Sequence, residues 1–156
     1  MLPRNEVAVS FGQTSFETSG EGLAAGASYN RFWTRMASTR AGFFRAQKDH
    51  FNDGGQQAFT ALYASAEIHP FRGRLVSPRL AAGAVHASSE RDTGFGPAQT
   101  HSEITALAAI GVDFRLTPRF LLGAEFVHVP HTPNARDRFA ERWDPQTTFV
   151  SARYRW

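Results

Sequence analysis

Apolar and polar residues alternate along much of this chain. The clearest stretch runs from Ile104 to Leu116, where every even-numbered position is apolar and the odd-numbered positions include Gly111, Asp113 and Arg115. Successive side chains of a β-strand point to opposite faces, so an alternation of period two predicts a strand. Segments of this kind, separated by Gly, Pro, Asn and Asp, predict eight strands at residues 6–16, 22–33, 36–47, 56–68, 74–88, 102–115, 119–129 and 147–156.

The connections between these segments alternate in length. Four are predicted to be long, at residues 17–21, 48–55, 89–101 and 130–146, and three to be short, at 34–35, 69–73 and 116–118. Short turns at one end and long loops at the other are typical of transmembrane β-barrels, with the turns on the periplasmic side and the loops outside the cell. The chain is therefore predicted to be all-β: an eight-stranded antiparallel up-and-down transmembrane barrel, in one domain covering residues 1–156.

The two faces of the predicted strands differ in chemistry. One face is apolar, and the other combines charged residues with glycines. In a narrow eight-stranded barrel, long arginines reaching across to acids would fill the interior and satisfy one another's hydrogen bonds. We therefore predict lipid outside and a closed, charge-paired interior, with an ordinary solvated surface as the alternative for the charged face. The predicted interior network comprises Arg40, Glu67, Arg79, Asp113, Arg115, Glu125 and Arg153.

Two positions in the early strands depart from this pattern. Arg31 falls on the same face as Tyr29 and Trp33, and Arg45 falls on the same face as Phe43. A β-bulge switches the face of the residues that follow it, and a strand end releases a side chain from the pattern. We expect one of these two causes at each arginine.

Composition narrows the possible partners and compartments. The net charge of +3 comes almost wholly from arginines that are scattered along the chain and often lie beside acids, which argues against a nucleic-acid partner. Cysteine is absent, and no apolar run approaches the ~20 residues of a membrane-spanning helix. Residues 1–6 have no apolar core and no small-residue cleavage site, so any export signal is expected to have been removed.

Two segments resemble a known family. The carboxy-terminal stretch from Phe149 to Trp156 resembles the last strand of outer-membrane β-barrels, which alternates apolar residues and ends in an aromatic residue. The strand, turn and strand from Gly111 to Phe126 resemble those of OmpA-like and OmpX-like barrel domains. The resemblance implies a Gram-negative outer-membrane protein whose Tyr154 and Trp156 are read by the barrel-assembly machinery. That family usually ends in phenylalanine.

No motif for chemistry stands out. Histidines 128 and 131 lie near the end of the seventh strand, but the spacing supplies no third ligand for a metal. Some outer-membrane barrels are lipid A deacylases with the local pattern His-x-Ser-Asn, and here His128-Val129-Pro130 has proline at the position of the serine. We predict no catalytic residue, no cofactor and no metal, and keep a lipid A-modifying enzyme as a minor alternative.

The long loops are then the predicted functional surface. The fourth loop offers Arg136, Arg138, Arg142 and Trp143, which suit contact with lipopolysaccharide phosphates or a surface protein partner. A solvated loop without a partner is equally compatible with the sequence. A soluble lipocalin-like carrier of a hydrophobic ligand also stays open, as does a narrow conducting path through the barrel.

Overall fold

The chain forms eight antiparallel strands in a computed structural model that describes residues 4–16, 20–49, 56–92, 97, 99–130 and 146–156. Within these ranges there is no helix long and apolar enough to cross a membrane. The strands are β1 (Asn5–Phe16), β2 (Gly20–Phe32), β3 (Ala37–Asp49), β4 (Gln56–Ile68), β5 (Val76–Asp92), β6 (Gln99–Arg115), β7 (Phe120–His128) and β8 (Gln146–Arg155).

The sheet closes on itself. Each strand pairs with its neighbours in the sequence, and β1 pairs with β8 from Glu6↔Arg155 to Ser15↔Gln146. Because the strand number is even, both termini lie at one end, where the Arg4 amide donates to the Trp156 carbonyl at 3.2 Å. Closure removes the sheet edges and lets the strand ladders pair backbone groups around the whole barrel, which is what a β-structure in lipid requires.

The predicted alternation of connection lengths holds only in part: residues 129–145 separate β7 from β8, but the connection 17–19, predicted to be long, is shorter than the turn 69–75. The end that carries the termini and the turns 33–36, 69–75 and 116–119 is called the short-turn end below, and the opposite end the loop end. The predicted loop 89–101 is shorter than expected because β5 and β6 continue to Asp92 and Gln99, pairing polar positions such as Glu90↔Thr100. Backbone pairing needs no apolar side chains, so this extension leaves no hydrophobic signal in the sequence.

Neither exceptional arginine is explained by a bulge, and a strand end explains only Arg31, which lies one residue before the end of β2, whereas Arg45 lies inside β3. The β2–β3 register runs without interruption from Leu23↔Gln47 to Phe32↔Ser38. Arg31 lies on the outer face near the short-turn end, and Arg45 lies on the outer face towards the loop end. Each can therefore extend its charged group beyond the apolar part of the surface.

The apolar face points outward. On β6, for example, Ile104 is 78% exposed and Ile110 is 57% exposed, whereas Leu107 between them is buried. The ten residue steps from Ile104 to Phe114 span about 33 Å along a strand, or about 25 Å along the axis of a barrel with the usual tilt. That height matches the apolar band of a transmembrane barrel. It is the reverse of a lipocalin-like carrier, whose apolar face would surround a ligand inside.

Candidate functional site in the barrel interior

The interior is divided into two layers. Towards the loop end it is apolar: Phe44 contacts Phe59 and Phe149 with ring centroids 5.8 and 5.3 Å apart, and Val85 and Leu107 pack in the same cluster. Towards the short-turn end it is charged. Both layers consist of side chains from the inward positions of the strands.

Glu125 on β7 pairs with three arginines of the charged layer. Its carboxylate accepts two hydrogen bonds from the Arg40 guanidinium, at 2.8 and 2.5 Å. It also forms ion pairs with Arg79 and, at 3.4 Å, with Arg153. These four residues come from four different strands, so one carboxylate links opposite parts of the wall.

Glu67 on β4 forms a second centre. Its Oε1 lies 3.0 Å from Arg40 Nη1 and 3.5 Å from Arg79 Nη1. The Asn30 side-chain amide donates to its Oε2 at 2.5 Å, and His69 Nε2 lies 3.2 Å from the same oxygen. The carboxylate is therefore surrounded by donors, as a buried charge must be if it is to be tolerated.

Asp113 and Glu6 complete the network near the short-turn end. Asp113 Oδ1 lies 3.3 Å from the Nε atoms of both Arg79 and Arg153. Glu6 receives Arg153 Nη1 at 2.7 Å and Arg155 Nε at 2.5 Å. The charged network thus contains four acids (Glu6, Glu67, Asp113 and Glu125) and four arginines (Arg40, Arg79, Arg153 and Arg155), whose formal charges cancel.

Six of the seven residues assigned to the interior network from the sequence come together in this way, and Arg115 does not. Arg115 is the last residue of β6, where the strand leaves the barrel, and its side chain is exposed and donates to the Gly73 carbonyl in the β4–β5 turn. Alternation assigns a residue to one face of the sheet, but it does not show where along the barrel axis the interior ends.

Sequence reasoning did not include Glu6 and Arg155 in the network. Alternation alone places both residues on the inward face. Glu6 lies on the face opposite to the outward Val7 and Val9, and Arg155 lies on the same face as Arg153. Their pairing across the β1–β8 seam depends on closure of the barrel. Closure brings together two residues separated by nearly the whole length of the chain.

Two glycines make room for the arginines. A Cβ at Gly111 would lie 2.9 Å from Nε and Nη2 of Arg79, and a Cβ at Gly123 would lie 2.6 Å from Ser151 Oγ and 2.9 Å from Arg153 Nε. Both distances are shorter than ordinary van der Waals contact, and the arginine groups are held by ion pairs. Glycine at these inward positions is therefore a packing requirement of the network.

The β4–β5 turn covers the network at the short-turn end. Arg72 of this turn is buried, and its guanidinium carbon lies 3.4 Å from the ring centroid of Phe32. Burial, together with the charge of Arg155, lowers the pKa of Arg72 to about 10. Arg72 therefore keeps its charge at neutral pH and adds a cation–π contact where the lumen meets solvent.

The described residues of the charged layer leave little free space between them. A void of about 10 Å³ lies beside Arg40, Tyr63 and Glu125, which is room for one water molecule at most. The void beside these described residues is too small for a ligand.

One inward cluster has the composition of a hydrolase site but not its geometry. Ser38 Oγ lies 3.1 Å from His69 Nε2, and the Glu67 carboxylate lies 3.2 Å from that same nitrogen. A nucleophile–base–acid relay uses the two different ring nitrogens, one facing the hydroxyl and the other the carboxylate. Among the described residues, no group of three or more His, Asp or Glu side chains is arranged to hold a metal ion.

The remaining predicted sites are divided between the described and undescribed parts of the chain. Tyr154 and Trp156 lie on the outer face at the short-turn end, with ring centroids 5.9 Å apart and stacked, and Phe120 lies 5.1 Å from Tyr154. The predicted loop contacts Arg136, Arg138, Arg142 and Trp143 lie outside the described residues.

Comparisons with known proteins identify the fold. No family model and no curated protein matches the chain. Among solved structures, it is similar to Ail, the attachment invasion locus protein of Yersinia pestis, in complex with the heparin analogue sucrose octasulfate, with 16% identity, a TM-score of 0.70 and full coverage of both chains. It is also similar to Neisserial surface protein A, with 15% identity, a TM-score of 0.72 and coverage of 97% and 96%. For the outer membrane protein OprG from Pseudomonas aeruginosa, identity is 9%, the TM-score 0.69 and coverage 99% and 97%.

These structures, together with the topology, define the class. The chain has the fold of the small eight-stranded β-barrels of the bacterial outer membrane.

Proposed function

We propose that this protein is an outer-membrane β-barrel of a Gram-negative bacterium, folded as one domain over residues 1–156, with a closed interior and a surface-interaction role carried by its loops. The observation that supports this most directly is the combination of an outward apolar belt with an inward network of four acids and four arginines. Lipid stabilises the belt, and the network lets the charged interior exist without bulk water.

Insertion into lipid is tested by refolding the full chain with and without micelles. We expect the circular dichroism of a β-sheet and a heat-dependent shift in gel mobility only when micelles are present. A chain that is monomeric and β-rich in plain buffer would contradict the proposal, because about 25 Å of apolar wall would then face water.

The closed interior is tested by electrical recording across planar bilayers. Because the lumen is filled by the apolar cluster and the charged network, the parent protein is expected to show no steady conductance. Two variants are compared with the parent. Phe149→Ala with Glu125→Ala removes side chains from both interior layers and should raise the conductance, whereas Ile104→Ala removes a side chain of the outer wall only and should not. Steady conductance of the parent would contradict the plug and favour a narrow pore.

Assembly is proposed to depend on the terminal aromatics Tyr154 and Trp156. Their stacking at the end of β8 offers an apolar surface to the barrel-assembly machinery before the barrel closes. Trp156→Ala should lower the amount of heat-modifiable protein in the outer membrane, whereas Trp156→Phe, which restores the usual aromatic end of the family, should not. Equal amounts of both variants would remove the assembly role.

The loop end is proposed to contact lipopolysaccharide or a protein partner through Arg136, Arg138, Arg142 and Trp143. Ail, with the same fold, was solved with a polyanionic heparin analogue, which motivates polyanions as the first probes. Replacing the three arginines by glutamine should weaken binding of lipopolysaccharide to the refolded protein, whereas Arg45→Gln serves as the control for a lost positive charge elsewhere on the surface. Equal binding by parent and triple variant would contradict this contact.

A further inference from the structure

Among the described residues, the short-turn end carries exposed arginines and no exposed acidic side chain. Six arginines at this end are exposed, and they are defined here as the basic rim: Arg4, Arg31, Arg35, Arg74, Arg115 and Arg119. The acids described at the same end, Glu6, Glu67 and Asp113, are buried and already paired with interior arginines. No acidic side chain among the described residues of the short-turn surface therefore neutralises the rim.

The loop end provides the contrast. There, exposed acids such as Glu21 and Glu90 accompany exposed Arg45, and Arg45 Nη2 lies 4.0 Å from Glu90 Oε2. Among the described residues, the excess of exposed positive charge is thus confined to the short-turn end.

The basic rim lies where the apolar belt ends. Large exposed aromatic residues stand at the same level, with Trp33 63% and Phe120 54% exposed. The Arg31 guanidinium carbon lies 5.1 Å from the Trp33 ring centroid, and that of Arg74 lies 5.3 Å from Phe71. Aromatic side chains at this position mark the level of lipid headgroups, so the arginines beside them are at the height of the phosphates.

A groove beside Arg31 extends into the apolar belt. It has a volume of about 500 Å³ and runs over small outward side chains between β2 and β5. Arg31 and Thr39 stand at its polar edge, and Ala41, Ala64 and Ala66 form its floor. A smooth apolar groove that ends at a guanidinium fits an acyl chain joined to an anionic headgroup.

We propose that the basic rim and this groove bind anionic phospholipid in the leaflet that faces the short turns. The inference rests on the proposed membrane placement, which puts the short-turn end on the periplasmic side. The guanidinium groups donate paired hydrogen bonds to phosphate oxygens, and each arginine near an anionic surface strengthens binding by about fivefold. The occupant is a phospholipid and not a soluble anion, because the arginines adjoin an apolar surface.

The experiment uses the protein's own tryptophan as the reporter. In the Trp143→Phe/Trp156→Phe background, Trp33 is the sole tryptophan and lies 5.1 Å from the Arg31 guanidinium. This protein is refolded into phosphatidylcholine vesicles that contain either brominated phosphatidylglycerol or brominated phosphatidylcholine, which quench a tryptophan they touch. Quenching at several lipid fractions gives the relative affinity of the two lipids for the Trp33 site.

We expect the parent to favour phosphatidylglycerol at least tenfold and to lose most of this preference at high salt. Arg31→Gln with Arg74→Gln and Arg119→Gln should reduce the preference to about one, whereas Arg45→Gln, at the loop end, should leave it unchanged. Equal quenching of the parent by both lipids overturns the inference. Absence of quenching by either lipid, restored on dilution of the protein, overturns it in favour of a second copy of the chain in the groove.

The choice of vesicle distinguishes a failure of the lipid-binding inference from a failure of the proposed function. Refolding into pure phosphatidylcholine, followed by circular dichroism and the heat-dependent gel shift, tests membrane insertion alone. A barrel that inserts normally but shows no lipid preference keeps the proposed function and loses the basic rim as a lipid site.

Discussion

Removal of the Glu125 carboxylate is the most direct test of how the interior is stabilised. Glu125 pairs with Arg40, Arg79 and Arg153, so Glu125→Ala leaves four buried arginines against three acids, a net charge of +1 in the network. Breaking a buried pair by removing one partner costs about 3–5 kcal/mol, since the remaining charge keeps its desolvation cost without its partner. Whole domains have a free energy of unfolding of about 5–15 kcal/mol, so a loss of this size is easily measured.

The assay is urea unfolding and refolding in phospholipid vesicles, followed by tryptophan fluorescence and the heat-dependent gel shift. Asp113→Ala should behave similarly, because Asp113 bridges Arg79 and Arg153. Glu90→Ala is the matched control, since Glu90 and Arg45 are more than half exposed and 4.0 Å apart, and it should change stability by at most about 1 kcal/mol. A charge-balanced double variant, Glu125→Leu with Arg40→Met, should recover much of the loss. The reasoning is refuted if Glu125→Ala and Asp113→Ala both unfold at the same urea concentration as the parent.

Four further substitutions test the packing of the interior and the polarity of the outer wall. Gly123→Ala should destabilise the barrel in the same unfolding assay, because its Cβ would lie 2.6 Å from Ser151 Oγ; refolding at parental stability would show that the network can move aside. Phe149→Ala should cost about 3–5 kcal/mol by opening a cavity in the apolar cluster, and an unchanged unfolding midpoint would mean that this cluster adds nothing to stability. Ile110→Arg should cost about 2–4 kcal/mol in vesicles and Ile104→Arg, near the edge of the belt, less, so equal costs would argue against a membrane of this depth.

The architecture could be predicted because its signal is local. The alternation in Ile104–Leu116 and in the last strand requires only that neighbouring side chains point to opposite faces, so strand number and class follow from the sequence. Strand ends were less accurate where polar residues continue the ladder, as at Glu90↔Thr100 in β5 and β6. The backbone hydrogen bonds that hold such pairs leave no trace in the hydrophobic pattern.

What the sequence alone determined is which residues share a face, and therefore that six charged positions would point the same way. It also predicted that the apolar face lies outside, but it did not determine which residues pair or where the interior ends. Those depend on closure, which joins Glu6 to Arg153 and Arg155 across the β1–β8 seam and releases Arg115 at the mouth of the barrel. The physical reason is that alternation is a property of neighbouring residues, whereas an ion pair across a lumen depends on register, strand tilt and curvature, which only the complete barrel sets.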